Sequence, residues 1–115
     1  MTIRRLHTIL VAAQDVPGCA DFYRAALGLE VKFADGERWV QLRGPEISYA
    51  IACPDEAAPL TSGALAVFEA TEEEDHDRVL AANGREVASR DMGDHGRTRT
   101  YADPAGNLFQ LFWRA

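Results

Sequence analysis

One glutamine stands inside an otherwise apolar run near the C-terminus, LFQLFW at residues 108–113. An amide placed there must find hydrogen-bonding partners. Gln110 therefore suits three roles: a metal ligand, a hook for an organic ligand, or an amide satisfied within the protein. Other candidate groups are sparse. The three histidines, His7, His76 and His95, share no metal-ligand spacing. Cys19 and Cys53 form neither a CxxC pair nor a zinc motif. Ser48 and Ser62 have no adjacent base and no glycine elbow, so no activated nucleophile is visible, and there is no phosphate-binding glycine loop. The stretch DHGRTR gathers His95, Arg97 and Arg99, which could meet a carboxylate or phosphate or form the solvated face of an edge strand. Trp39 and Tyr101 are flat aromatics that could stack on a planar or cationic ligand, or pack in the core.

The elements that position these residues come in a repeated order. Arg4 to Ala13 is rich in aliphatic and β-branched residues and reads as a strand. Asp15 is a candidate N-cap with Pro17 in the first turn, and Cys19, Phe22, Tyr23, Ala26 and Leu27 make an apolar helical stripe that Gly28 terminates. Three strands follow: LEVKF, RWVQLR and ISYAIA. After CPDEAAPLTSG the order begins again: the strand ALAVFEA, a helix with Thr71 and Glu74 as a capping box and a stripe of His76, Val79 and Leu80, and Gly84 at its end. The strands REVAS, RTRTYA and LFQLFW complete the half, with DPAGN as the last turn. Gly28-Leu-Glu-Val31 in one half matches Gly84-Arg-Glu-Val87 in the other. A βαβββ unit cannot bury both its helix stripe and its sheet alone. The expectation is α+β: two βαβββ modules, about 1–56 and about 61–115, forming curved mixed sheets around a central cavity within one domain.

Composition agrees with a folded domain. In 115 residues the apolar fraction is 47% and the charged fraction 26%, enough for one ordinary core. The net charge of −6 repels phosphate backbones, so nucleic acid is not expected as a partner, while a cationic small molecule is compatible with it. No apolar run reaches the length of a signal-peptide core or a membrane span. A cytoplasmic protein without a membrane partner or a disulfide is expected.

Two stretches carry a resemblance. QDVPGCADFYRAALGLEV resembles the first helix of the vicinal oxygen chelate superfamily, through Asp15, Phe22, Tyr23, Leu27 and Gly28. GRTRTYADPAGNLFQLF resembles its final hairpin, through Asp103, Pro104, Gly106 and Asn107. Together they frame nearly the whole chain. That superfamily comprises glyoxalase I, extradiol dioxygenases, fosfomycin-modifying enzymes and the bleomycin resistance proteins that bind drug without metal, so the fold alone does not choose the function.

The resemblance implies four metal-ligand positions, on the first and last strands of each half. Register counted from the motifs puts Thr8, Ser48, Leu65 and Gln110 there, with His7 one residue out of phase. Two hydroxyls, an alkyl group and one neutral amide are poor donors for a divalent ion. Gln110 would face the cavity with Leu108 and Phe112, while Phe109, Leu111 and Trp113 would pack against a helix. The resulting expectation is a metal-free binding protein without catalytic residues or cofactor, possessing a small-molecule site made of Gln110, Thr8, Ser48, Trp39, Tyr101, Phe112 and Arg99. By resemblance it would be a homodimer. The alternatives are a lyase of the glyoxalase type or a dioxygenase with one divalent metal ion, held in part by His7 and Gln110, and a structural or regulatory relative with no ligand.

Overall fold

The computed structural model describes residues 2–115 and is α+β. Its elements are β1 (Ile3–Ala12), α1 (Val16–Leu27), β2 (Glu30–Asp35), β3 (Trp39–Arg43), β4 (Ser48–Ala52), α2 (Pro54–Ala57), β5 (Ala64–Ala70), α3 (Glu74–Ala81), β6 (Arg85–Asp91), a 3-10 turn (Gly93–His95), β7 (Arg97–Ala102) and β8 (Leu108–Trp113). The βαβββ order therefore occurs twice, with the short α2 added between the halves. The chain divides into two compact units: Thr8–Leu65, and Ala66–Ala115 joined by the residues up to His7. Residues 2–7 thus group with Ala66–Ala115. Strand β1 contributes to both units.

In the unit Thr8–Leu65 the strands run in the order β2-β3-β4-β1, with β1 and β4 parallel and the other pairs antiparallel. Helix α1 starts where expected: the Asp15 side chain accepts from the Gly18 amide at 3.0 Å, and Gly28 closes the helix in the left-handed region at φ 69°. The buried stripe differs from the sequence reading. Val16, Cys19, Ala20 and Tyr23 pack on Val40, Leu42 and Ile51, while Phe22 and Leu27 are 62% and 64% exposed. Both stripes have helical spacing, and the sheet selects the one that starts a turn earlier. Burying a side chain such as Val16 or Ile51 stabilises by about 1.5–3 kcal/mol. Tyr49 donates to the Tyr23 hydroxyl at 3.1 Å, and burial, with that contact, pushes the Tyr49 phenol up to about 12. Burial, reinforced by Asp15, also raises the Cys19 thiol.

In the other unit β5 and β8 are parallel, β8-β7 and β7-β6 antiparallel, and α3 covers one face. Ala70, Tyr101, Leu111 and Trp113 form its core, with Ile3, Phe68, Val79 and Phe109 against them. The expected Thr71–Glu74 capping box does not form. Thr71 Oγ1 donates instead to the Thr2 carbonyl at 2.9 Å, and Asp75 Oδ2 accepts from the Glu72 amide at 3.1 Å. A long-range backbone partner has displaced the local one. At the other end Asn83, not Gly84, takes the left-handed conformation, at φ 73°. Gly84 is needed for a close approach: a Cβ there would stand 2.5 Å from Val79 Cγ1. Among the described residues no helix is long and apolar enough to cross a membrane.

Candidate ligand-binding site

Strand alternation assigns each candidate residue to a face. In the unit Thr8–Leu65, Tyr49, Ile51, Val40 and Leu42 point to α1, so the opposite face carries Ser48, Ala50, Trp39 and Gln41. Thr8 is the parallel partner of Ser48, and both are buried. Trp39 Nε1 donates to Gln41 Oε1 at 3.4 Å, which orients the indole along this face, and Phe33, opposite Gln41, is 52% exposed. Two hydroxyls side by side can donate to or accept from a polar ligand group. They bring no charge.

In the other unit Phe109, Leu111 and Trp113 point to α3, and Trp113 Nε1 donates to the Glu72 carbonyl at 2.8 Å. Leu108, Gln110 and Phe112 therefore occupy the face away from the helix. Gln110 is buried, and its Nε2 donates to Thr100 Oγ1 at 3.0 Å, across the β7–β8 pair where the two residues are direct partners. Phe112 lies two residues along, its ring centroid 5.1 Å from that of His7. This face thus brings together an amide, a hydroxyl, a benzyl ring and an imidazole.

Tyr101 and Arg99 lie elsewhere. Tyr101 is the partner of Phe109 on the α3 side, wholly buried, stacked on Phe109 at 5.3 Å and hydrogen-bonded to His76 Nδ1 at 2.9 Å. Burial raises its phenol to about 12, so the hydroxyl stays protonated. Arg99, the partner of Leu111, pairs with Glu86 at 2.8 Å. Arg97 lies 5.0 Å above the Trp113 ring and pairs with Glu73, and His95 is exposed in the 3-10 turn. The core beside α3 has thus taken Tyr101, while Arg97 is held by Trp113 and Glu73 and Arg99 by Glu86 on β6. An open groove of about 610 Å³ on the α3 side has an apolar floor including Ile3, Val79 and Phe109. Its charged rim is engaged internally: Asp75 holds Arg78 at 2.7 Å, and Asp103 accepts from the Ala105 and Asn107 amides at 2.9 Å each.

The residues do not fit a divalent ion. Among the described residues no three or more His, Cys, Asp or Glu side chains gather to hold a metal. Thr8 and Ser48 are neutral hydroxyls, Leu65 has no donor, and Gln110 brings one neutral amide oxygen, its nitrogen being the atom that donates to Thr100. Such a set lacks the imidazole and carboxylate donors that bind borderline divalent ions.

A second polar constellation escaped the sequence reading. Glu69, only 1% exposed, is the parallel partner of Phe112 and so shares the face of Gln110. Arg114 donates to it at 2.5 Å, Arg5 at 3.1 Å, and Arg4 stands 3.8 Å away. The Arg114 hydrogen bond holds the Glu69 carboxyl below the usual range against the opposing effect of burial, with Arg5 assisting. No local motif announces these contacts, because Arg5 and Glu69 are 64 residues apart and Arg114 and Glu69 are 45 apart.

Comparison with known proteins places this geometry. The family model described as a glyoxalase-like domain matches residues 8–112. The chain is similar in structure to NAD-dependent benzaldehyde dehydrogenase from Legionella pneumophila, with a TM-score of 0.78 and 15% identity over 94% of this chain and 98% of that one. It is similar to methylmalonyl-CoA epimerase from Mycobacterium tuberculosis, at 0.75 and 15% over 99% and 90%. A glyoxalase/bleomycin resistance protein/dioxygenase superfamily member from Vibrio splendidus 12B01 aligns at 0.63 and 21% over 97% and 99%. At these identities the likeness is one of fold. No curated protein matches the chain in sequence.

Proposed function

Because the chain belongs to the glyoxalase-like domain family within the glyoxalase/bleomycin resistance/dioxygenase superfamily, we propose that it is a metal-free small-molecule-binding protein. It sequesters an aromatic or cationic compound in the manner of the antibiotic-resistance members, acting without cofactor as a cytoplasmic homodimer. The observation that carries this reading is the buried Gln110–Thr100 pair, set on a face with Phe112 and His7. A few fixed polar groups among apolar and aromatic surface are what an organic ligand needs for orientation. Sequestration requires affinity alone, so the lack of a nucleophile or an acid–base pair does not count against it. Trp39, Thr8 and Ser48 supply similar chemistry in the unit Thr8–Leu65.

A second reading is a metal-dependent lyase or dioxygenase. It draws on one observation: the His7 ring lies against Phe112, a residue of the Gln110 face. One imidazole and one amide are still short of a metal site.

Elemental mass spectrometry on freshly purified, untagged protein separates the two, with and without exposure to Ni, Zn, Mn and Fe(II). Less than stoichiometric metal is expected, followed by thermal stabilisation from at least one compound in an aromatic antibiotic panel, reduced in Gln110→Leu and Trp39→Ala. About one tightly held ion per chain, lost in His7→Ala, would overturn the metal-free reading.

A further inference from the structure

We propose that Arg4, Arg5 and Arg114, gathered on the buried carboxylate of Glu69, form a receptor for an oxyanion, the carboxylate or phosphate group of the ligand that occupies the Gln110 face. For the rest of that ligand the assignment rests on the binding function proposed above. It selects the aromatic class over the cationic one.

The stoichiometry of charge is the first argument. One carboxylate needs one cation, and Glu69 has three within 3.8 Å. Two positive charges are left over, in a chain whose net charge is −6. Three guanidiniums repel one another, and the arrangement relaxes when an anion arrives. The geometry of the contacts is the second argument. Each arginine meets Glu69 through Nε. Among the described residues no hydrogen bond runs from a terminal nitrogen of any of the three. Those terminal nitrogens form the fork that matches a carboxylate or phosphate bidentately. The arginine side chains are 61%, 49% and 62% exposed, so an incoming anion can reach them, while the Glu69 side chain is buried and fixed.

Placement is the third argument. Glu69 and Phe112 are partners, and Val67 and Gln110 are partners two residues back on the same strands. Glu69, which gathers the arginines, is thus about 7 Å along the face from Gln110, two residues of strand rise, with Phe112 as its partner and the His7 ring against Phe112. A ligand of one aromatic ring bearing an acidic group spans that distance. Its oxyanion meets the arginines, its ring lies at Phe112 and His7, and its remaining polar atom reaches Gln110.

The test is an NMR titration of the full chain at low salt, following arginine Nε–H signals with benzoate, phenyl phosphate and inorganic phosphate as probes. Saturable shifts are expected at Arg4, Arg5 and Arg114 and not at Arg24, which among the described residues is paired only with Asp21 on α1. The stronger of benzoate and phenyl phosphate tells which acidic group the cluster takes, and inorganic phosphate reads the arginines without a ring. Arg4→Gln is the informative variant, because Arg4 makes the longest contact to Glu69 and its loss leaves Arg5 and Arg114 in place. It should weaken binding about three- to tenfold, the scale of one charge-assisted contact, with Arg4→Lys intermediate and Arg24→Gln unchanged. Equal shifts at Arg24, or an unaltered affinity in both Arg4 variants, would overturn the proposal. Inorganic phosphate binding reports on the arginines alone, so it can fail while Gln110-dependent ligand binding persists, and the converse also holds.

Discussion

Gln110 donates its amide N–H to the hydroxyl of Thr100 at 3.0 Å, both side chains buried and directly opposed across the β7–β8 pair. Cross-strand partners on one face are held at nearly constant separation by the ladder, so this contact is part of the fold before any ligand arrives. It fixes the orientation of the Gln110 amide.

Replacing Gln110 by Leu removes the amide and leaves the Thr100 hydroxyl without its partner. A loss of about 1–2 kcal/mol in unfolding free energy is expected, read from urea denaturation. Thr100→Val alone should cost a similar amount. The double variant should cost less than the sum, because neither then strands a buried polar group. Additive losses would show that the pair is not coupled.

Glu69 makes stability depend on acid. Its folded-state carboxyl lies below the ordinary value because of Arg114 and then Arg5, so its contribution is fully present above the unfolded glutamate value of about 4.3. That contribution disappears as pH falls through the folded-state value. Glu69→Gln should lower stability by about 2 kcal/mol at neutral pH, a moderate cost because the arginines regain water. The gap between wild type and variant should close in strong acid, followed by thermal melts across that range. A gap independent of pH would contradict the ion-pair account.

Tyr101→Phe keeps the stack on Phe109 and deletes the bond to His76. The expected cost is about 1 kcal/mol. Because Tyr101 packs on the α3 side, away from the Gln110 face, ligand affinity should be unchanged when measured beside Gln110→Leu. In the wild type, tyrosinate absorbance from this residue should not emerge until pH approaches about 12.

Gly96 has φ 90°, and a Cβ there would meet the Trp113 carbonyl and stand 2.7 Å from Phe112 Cε1. Gly96→Ala should destabilise by about 2 kcal/mol or more through backbone strain and that clash. It should also displace the Phe112 ring, seen as loss of the ring-current shift on the His7 imidazole protons. An unshifted His7 in the folded variant would separate that stack from Gly96.

What the sequence by itself determined is local or periodic. The doubled βαβββ order, the Asp15 and Gly28 caps and the Asp103 turn each depend on residues a few positions apart, whose backbone and side-chain chemistry acts in any context. Strand alternation likewise put Gln110 and Phe112 on one face and Trp113 on the other. What only the tertiary structure decided is which of two legible options wins when distant segments compete. The sheet chose the Val16–Tyr23 stripe of α1 over Phe22 and Leu27, and the Thr2 carbonyl drew Thr71 away from its capping box. The α3 core took Tyr101. Glu69 was invisible for the same reason: within ALAVFEA it reads as one more strand residue, and its arginines come from opposite ends of the chain. A buried carboxylate is defined by the charges that reach it through space, and sequence spacing carries no record of them.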